Sequence, residues 1–190
     1  MKMKLNLEIE KDKIIYQGKV KSGKKGIGVI RLNEKTDKYT YIIFPLKCKD
    51  ENGKLNIIID EILNKEAIFK DDKYQIELQR EYKGKTCIVI TSDKALEIKL
   101  RKRNILYETE VKKTFNGQGM IRINEGFLGD RSYVIFPISQ RDEWENISVE
   151  IDEILNKGIR PDTDHTSCIR LSKTKVGKKC IICLQESDIN

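Results

Sequence analysis

The sequence predicts a mainly β protein made of two tandem homologous small β-barrels, each with one short helix. Three observations carry that expectation. The 190 residues include 29 Ile but only 2 Ala, and β-branched side chains suit a pleated, half-buried surface whereas Ala suits helices. Apolar residues alternate with polar ones at a period of two, as in Leu5, Leu7 and Ile9 around Asn6 and Glu8. The chain also repeats itself. LNLEIEKDKIIY at 5–16 reappears as LEIKLRKRNILY at 96–107, and IRLN at 30–33 as IRIN at 121–124. YIIFP at 41–45 returns as YVIFP at 133–137, IDEILNK at 59–65 recurs at 151–157, and GKTCIVI at 84–90 matches GKKCIIC at 177–183. Five collinear blocks with offsets of 91 to 93 residues define two units, 1–92 and 93–190, each the size of a small domain.

Within the first unit a strand over 5–9 precedes the polar turn Glu10 to Lys13, and Ile14, Ile15 and Tyr16 begin the next. Further strands are expected over 29–32, 41–46, 55–59, 74–78 and 86–91. Asp60 to Lys65 reads as the one helical turn: acidic residues open it, Lys closes it, and Ile62 and Leu63 face inward. The second unit repeats this plan, with its helix over 152–157. About six short strands per unit close most readily into a barrel or sandwich, which avoids exposed edges. The junction at Asp93 and Lys94 lacks the Gly and Pro of a loose linker.

A weaker symmetry lies inside each unit. Residues 120–136 and 168–184 both read as an Ile-Arg strand end, a compact turn, a Gly, and an apolar strand. Gly129-Asp130, Gly177-Lys178 and Gly84-Lys85 mark the turns, while 30–44 is a copy without the Gly. In these segments the sequence resembles the AbrB-type swapped-hairpin (cradle-loop barrel) family of transition-state regulators. The resemblance spans about half the chain, and implies two interlocked hairpins per barrel, built here within one polypeptide, and contact with DNA. Asn33 and Asn124 stand where the family usually has Pro. Riboflavin-kinase-like and translation-factor-like barrels are single-chain relatives that fit the same pattern.

Charge points to the partner. Lys and Arg number 37 against 30 Asp and Glu, a net charge of +7. Residues 1–92 hold +6 of it and 93–190 only +1. Such an excess suits a polyanion. The basic loop 21–28 (KSGKKGIG) leads into the Ile-Arg strand, as does its equivalent 112–119 (KKTFNGQG). Gly lets backbone approach phosphate, Lys supplies charge, and Arg can bind in two-pronged fashion. The candidate nucleic-acid-binding residues are therefore Lys21, Lys24, Lys25, Arg31, Lys112, Lys113 and Arg122, with DNA favoured over RNA as partner.

Other chemistries fit less well. Gly84-Lys85-Thr86 resembles the end of a P-loop, but Gln79 stands where that motif needs Gly, and a strand follows. Gly26-Ile-Gly28 likewise opens a strand, not the helix of a dinucleotide fingerprint. His165, Cys168, Cys180 and Cys183 formally make a zinc set; residues three apart on a strand, however, point to opposite faces. Small buried hydrophobes account for these cysteines, so no metal and no cofactor is expected. His165 is the only His; Asp162 and Asp164 flank it in a polar loop. The pairs Asp60-Glu61 and Asp152-Glu153 are explained as helix starts, and Phe127 and Trp144 by packing or stacking. No catalytic residue is assigned. The start MKMKLN lacks a signal-peptide core, and with five cysteines predicts a reduced, cytoplasmic chain. A protein-interaction or assembly module, as partner-binding unit or homo-oligomer, is the second functional reading, and a nucleotide or small-molecule enzyme the third. No membrane contact is expected.

Overall fold

The computed structural model describes residues 1–163 and 165–187, and the protein is mainly β. No described helix is long and apolar enough to cross a membrane. A two-residue strand, β1 (Lys2–Met3), precedes nine strands in the first copy: β2 (Asn6–Glu10), β3 (Ile14–Lys19), β4 (Lys21–Ser22), β5 (Gly28–Leu32), β6 (Tyr39–Glu51), β7 (Lys54–Asn64), β8 (Ile68–Lys70), β9 (Lys73–Leu78) and β10 (Thr86–Ser92). The second copy repeats the succession as β11 (Glu97–Arg101), β12 (Ile105–Glu110), β13 (Lys112–Lys113), β14 (Gly119–Ile123), β15 (Arg131–Glu143), β16 (Asn146–Gly158), β17 (Arg160–Pro161), β18 (Ser167–Leu171) and β19 (Lys179–Gln185). The chain divides into Leu5–Ala95 and a unit formed by Met1–Lys4 with everything from Leu96 onward. The N-terminal residues thus belong with the second copy.

Each unit is built from two sets of antiparallel strands. In the first copy β2, β7, β6, β10 and β3 pair in succession, and a separate four-stranded sheet runs β4-β5-β9-β8. The second copy has the same pairings, β11, β16, β15, β19 and β12 beside β13-β14-β18-β17. To this β1 adds a parallel pair on β19, with Lys2 opposite Leu184 and Met3 opposite Gln185. Ile30, Ile76, Ile59 and Val89 fill the interior of the first copy, and Tyr133, Ile151 and Ile169 lie as deeply in the second.

The strand–turn–strand segments take a specific form. β9 ends in the 3-10 turn Arg80–Tyr82, Gly84 follows at φ +82°, and β10 begins. β14 and β18 lead through the turns Glu125–Phe127 and Lys173–Lys175, and through Gly129 (φ +88°) and Gly177 (φ +83°), into β15 and β19. Positive φ at these points favours Gly. A buried aliphatic residue clamps each turn with two backbone hydrogen bonds: Gly84 N donates to Val20 O (2.8 Å), and Val20 N to Lys85 O (2.9 Å). Val111 does the same at Gly177 and Lys178, and Ile159 at Gly129 and Asp130. The two arms of a segment lie in different sheets. β5 and β9 pair with each other, as do β6 and β10.

Two expectations are corrected. Residues 60–65 and 152–157 form no helix; 60–64 end β7 and 152–157 lie inside β16. Among the described residues every helical segment is a three-residue 3-10 turn. The cause is a bulge. Phe44 opposes Glu61 but Pro45 opposes Ile59, so the ladder absorbs Asp60 where Pro offers no N–H. Phe136, Pro137 and Asp152 repeat the device. An isolated helical turn has little stability of its own, whereas Ile62 and Leu63 gain pairing with Ile43 and Ile42. Nor is a closed barrel found. The four-stranded sheets end instead on strands of two or three residues, each carrying at least one Lys or Arg: Lys21-Ser22, Ile68-Phe69-Lys70, Lys112-Lys113 and Arg160-Pro161. Short, charged edges solve by blunting what a barrel solves by closure.

Candidate nucleic-acid interface

The basic loop of the first copy is a tight reversal between β4 and β5, closed by Gly23 N donating to Ile27 O (2.8 Å). Lys24 and Lys25 stand exposed at its tip, Lys25 at φ 58° followed by Gly26 at φ 75°. Two successive left-handed residues turn the chain sharply. A Cβ on Gly26 would lie 2.9 Å from Arg80 Nη2 and 3.1 Å from its Nε. The guanidinium therefore rests against the Gly26 backbone, and the loop and the Arg80–Tyr82 turn adjoin. The Val20 clamp brings Lys19 and Lys21 beside Lys85 in the same way.

Together residues 19–26 and 80–85 carry Lys19, Lys21, Lys24, Lys25, Arg80, Lys83 and Lys85 against one carboxylate, Glu81. All seven cations are exposed, and among the described residues none forms an ion pair. Nearly the whole net charge of the protein resides there. Arg31 faces outward from β5 opposite Gln75.

Beneath this surface lies Glu61, buried, whose Oε2 accepts from Tyr82 Oη at 2.8 Å. Tyr82 stacks on Phe44 (centroids 4.9 Å apart), and Lys85 Nζ stands 5.1 Å from the Tyr82 ring centre. A phenol hydroxyl thus serves the buried carboxylate, and the cations above it form no ion pair with it. The second copy solves the same problem differently. Lys175 occupies the position of Tyr82, donates to buried Glu153, and rides over Phe136 at 5.4 Å. One cation is consumed inside.

The second loop is weaker in charge. Lys112 and Lys113 are exposed on β13, but Lys112 lies 3.9 Å from Glu110, which stands where the first copy has Lys19. Arg122 is 74% exposed and 4.0 Å from Asp162. At the tip, Phe115 and Asn116 replace Lys24 and Lys25. Sequence reasoning found the loop lysines but missed Lys19, Arg80, Lys83 and Lys85. Their signal was the Gly84-Lys85 turn, which the Val20 clamp and the seating of Arg80 on Gly26 connect to the loop. It also missed Glu61 and Glu153 as buried, partnered groups.

The remaining candidates are placed as follows. Among the described residues no three Cys, His, Asp or Glu side chains gather into a metal site. Cys168, Cys180 and Cys183 are buried in strands; burial pushes the Cys180 and Cys183 thiols up to about 12, the neutral form. His165 is exposed at φ 73°, and Asp164 lies outside the described residues. Phe127 is half-buried in its turn, and Trp144 is 93% exposed at the β15–β16 tip. Comparison with known proteins finds no match: no family model, no curated protein and no solved structure is similar to the chain.

Proposed function

We propose that the protein binds nucleic acid, DNA in preference to RNA, by gripping phosphates with the cationic surface of its first copy. One observation carries the reading: residues 19–26 and 80–85 bring seven exposed cations together with no carboxylate engaged to them. Desolvated or paired lysines would have been spent on the fold, and these are not. Phosphate neutralised by such groups releases counterions, so binding weakens steeply with salt. Resemblance to swapped-hairpin regulators favours DNA, and the cross-pairing of β5 with β9 and β6 with β10 suits that resemblance. Lys21, Lys24, Lys25 and Arg80 make first contact, with Arg31 flanking them; Lys112, Lys113 and Arg122 form the lesser surface.

The test is a fluorescence-anisotropy titration of random duplex and single-stranded oligonucleotides at two salt concentrations. Wild-type affinity should fall with salt. Replacing Lys21, Lys24 and Lys25 by Ala should reduce the slope by up to about 3, near 0.9 for each phosphate that is no longer neutralised. Salt-independent binding, or an unaltered slope in the triple variant, removes the reading. The second reading, an assembly module, draws on exposed Trp144; it requires a Trp144-dependent oligomer in sedimentation and no oligonucleotide affinity.

A further inference from the structure

We infer that the loop 112–118 of the second copy is a base-stacking finger for single-stranded nucleic acid, with Phe115 as its platform. This deepens the nucleic-acid reading and rests on it. Phe115 is as exposed as a free side chain, at 104%. Its backbone is nevertheless fixed. Thr114 N donates to Gln118 O (2.8 Å), Gly117 N to Thr114 O (3.0 Å), and Gln118 N to Thr114 Oγ1 (3.1 Å). An aromatic ring held in water on a closed turn does no packing within the fold.

The surroundings identify the ligand. Lys113 runs along the loop, its Cε 3.9 Å from where a Cβ on Gly117 would sit. Lys112 is exposed beside it. The Lys173–Lys175 turn adjoins the foot of the finger, since a Cβ on Gly119 would lie 3.1 Å from Ser172 O, and Val111 holds Lys178 alongside β13. Lys113 thus lies along the finger, with exposed Lys112, Lys173 and Lys178 at its foot; an exposed aromatic with cations near it is the combination by which sequence-tolerant single-strand binders stack bases and hold phosphates. Trp144 makes the contrast. It is almost as exposed, yet lies between Glu143 and Glu145, and Glu143 is kept ionised by hydrogen bonds from Lys99, Arg141 and Ser148. The Phe115 turn, residues 112–118, carries two lysines and no carboxylate, whereas Trp144 has a carboxylate on either side.

In a duplex the bases are already stacked, so the platform gains nothing there. The experiment titrates labelled oligo(dT) and a duplex of equal length against wild type, Phe115→Ala, Phe115→Trp, and the Lys21, Lys24, Lys25 triple Ala variant. Phe115→Ala should weaken oligo(dT) binding by about 5- to 150-fold, the range for loss of one stacked base. It should leave duplex affinity and the salt slope unchanged, and Phe115→Trp should restore binding. Combined with Trp144→Phe, the Phe115→Trp substitution leaves a single indole, on the finger, whose fluorescence should be quenched by oligo(dT) but not by duplex. Equal oligo(dT) affinity in wild type and Phe115→Ala overturns the finger and leaves the cationic surface standing. Binding of neither oligonucleotide by wild type overturns both. Sedimentation with phosphatidylserine-containing vesicles, lost in Phe115→Ala while oligo(dT) affinity is unmoved, would assign the ring to a membrane surface and also overturn the inference. Full exposure of Phe115 keeps every variant foldable, which thermal unfolding checks.

Discussion

Replacing Lys175 by Met tests the difference between the two copies at its root. The side chains of Glu153 and Lys175 retain 8% and 13% of their exposure, and the ammonium also faces the Phe136 ring at 5.4 Å. Met keeps the apolar stem against Phe136 and removes the charge. Breaking a buried pair from one side leaves a carboxylate without its counter-charge, at a cost of about 3–5 kcal/mol. The residual exposure argues for the lower figure. With a urea dependence of about 2 kcal/mol per M, the unfolding midpoint should fall by about 1.5 M or more with its slope unchanged. The first copy supplies the control, because Tyr82 holds Glu61 there through a hydrogen bond of 2.8 Å. Lys175→Tyr keeps a donor for Glu153 and should recover most of the loss, to within about 1.5 kcal/mol of wild type. Urea titrations followed by circular dichroism measure all three proteins. A Lys175→Met midpoint equal to wild type would show that Glu153 needs no cation, and the account of how the two copies hold their buried carboxylates would collapse.

Two further outcomes are expected. Burial raises the Cys87, Cys180 and Cys183 thiols from 9.0 to about 12; between those values the unfolded chain has released protons that the folded one keeps. Stability is therefore full below pH 9 and lost toward pH 12, by about 1.4 kcal/mol per pH unit per thiol. Urea unfolding across this range should show a shallower decline for Cys87→Ala, and parallel curves would refute the assignment. Deleting residues 1–4 removes the β1–β19 pairs, the Glu186 N to Met3 O bond (2.8 Å) and the Lys2–Asp130 ion pair (2.7 Å). Amide exchange should accelerate in β19 and stay constant in its counterpart β10, and equal protection of β19 in both proteins would contradict the pairing.

Much of the architecture was legible in the residues. Alternation put Leu5, Leu7 and Ile9 inward, and all three are buried. Gly84, Gly129 and Gly177 marked turns that need positive φ, a property of the residue itself. The stretch 60–65 was misread because a bulge at Pro45 breaks the two-residue period, and a broken strand period imitates a helix locally. Arg80 was missed for another reason. It is 54 positions from Gly26, and no local pattern announces a guanidinium seated on a distant glycine.

The sequence by itself determined the duplication, the β character and the unequal charge of the two halves, because repetition, side-chain shape and ionisation are local properties. Only the tertiary structure decided which cations stay free and which are spent. Tyr82 serving Glu61 while Lys175 serves Glu153 depends on strands that the chain brings together from far apart. It also decided that Met1–Lys4 joins the second copy, since the end of β19 beyond its pairing with β12 takes whatever backbone can complete its ladder, wherever that backbone lies in the sequence.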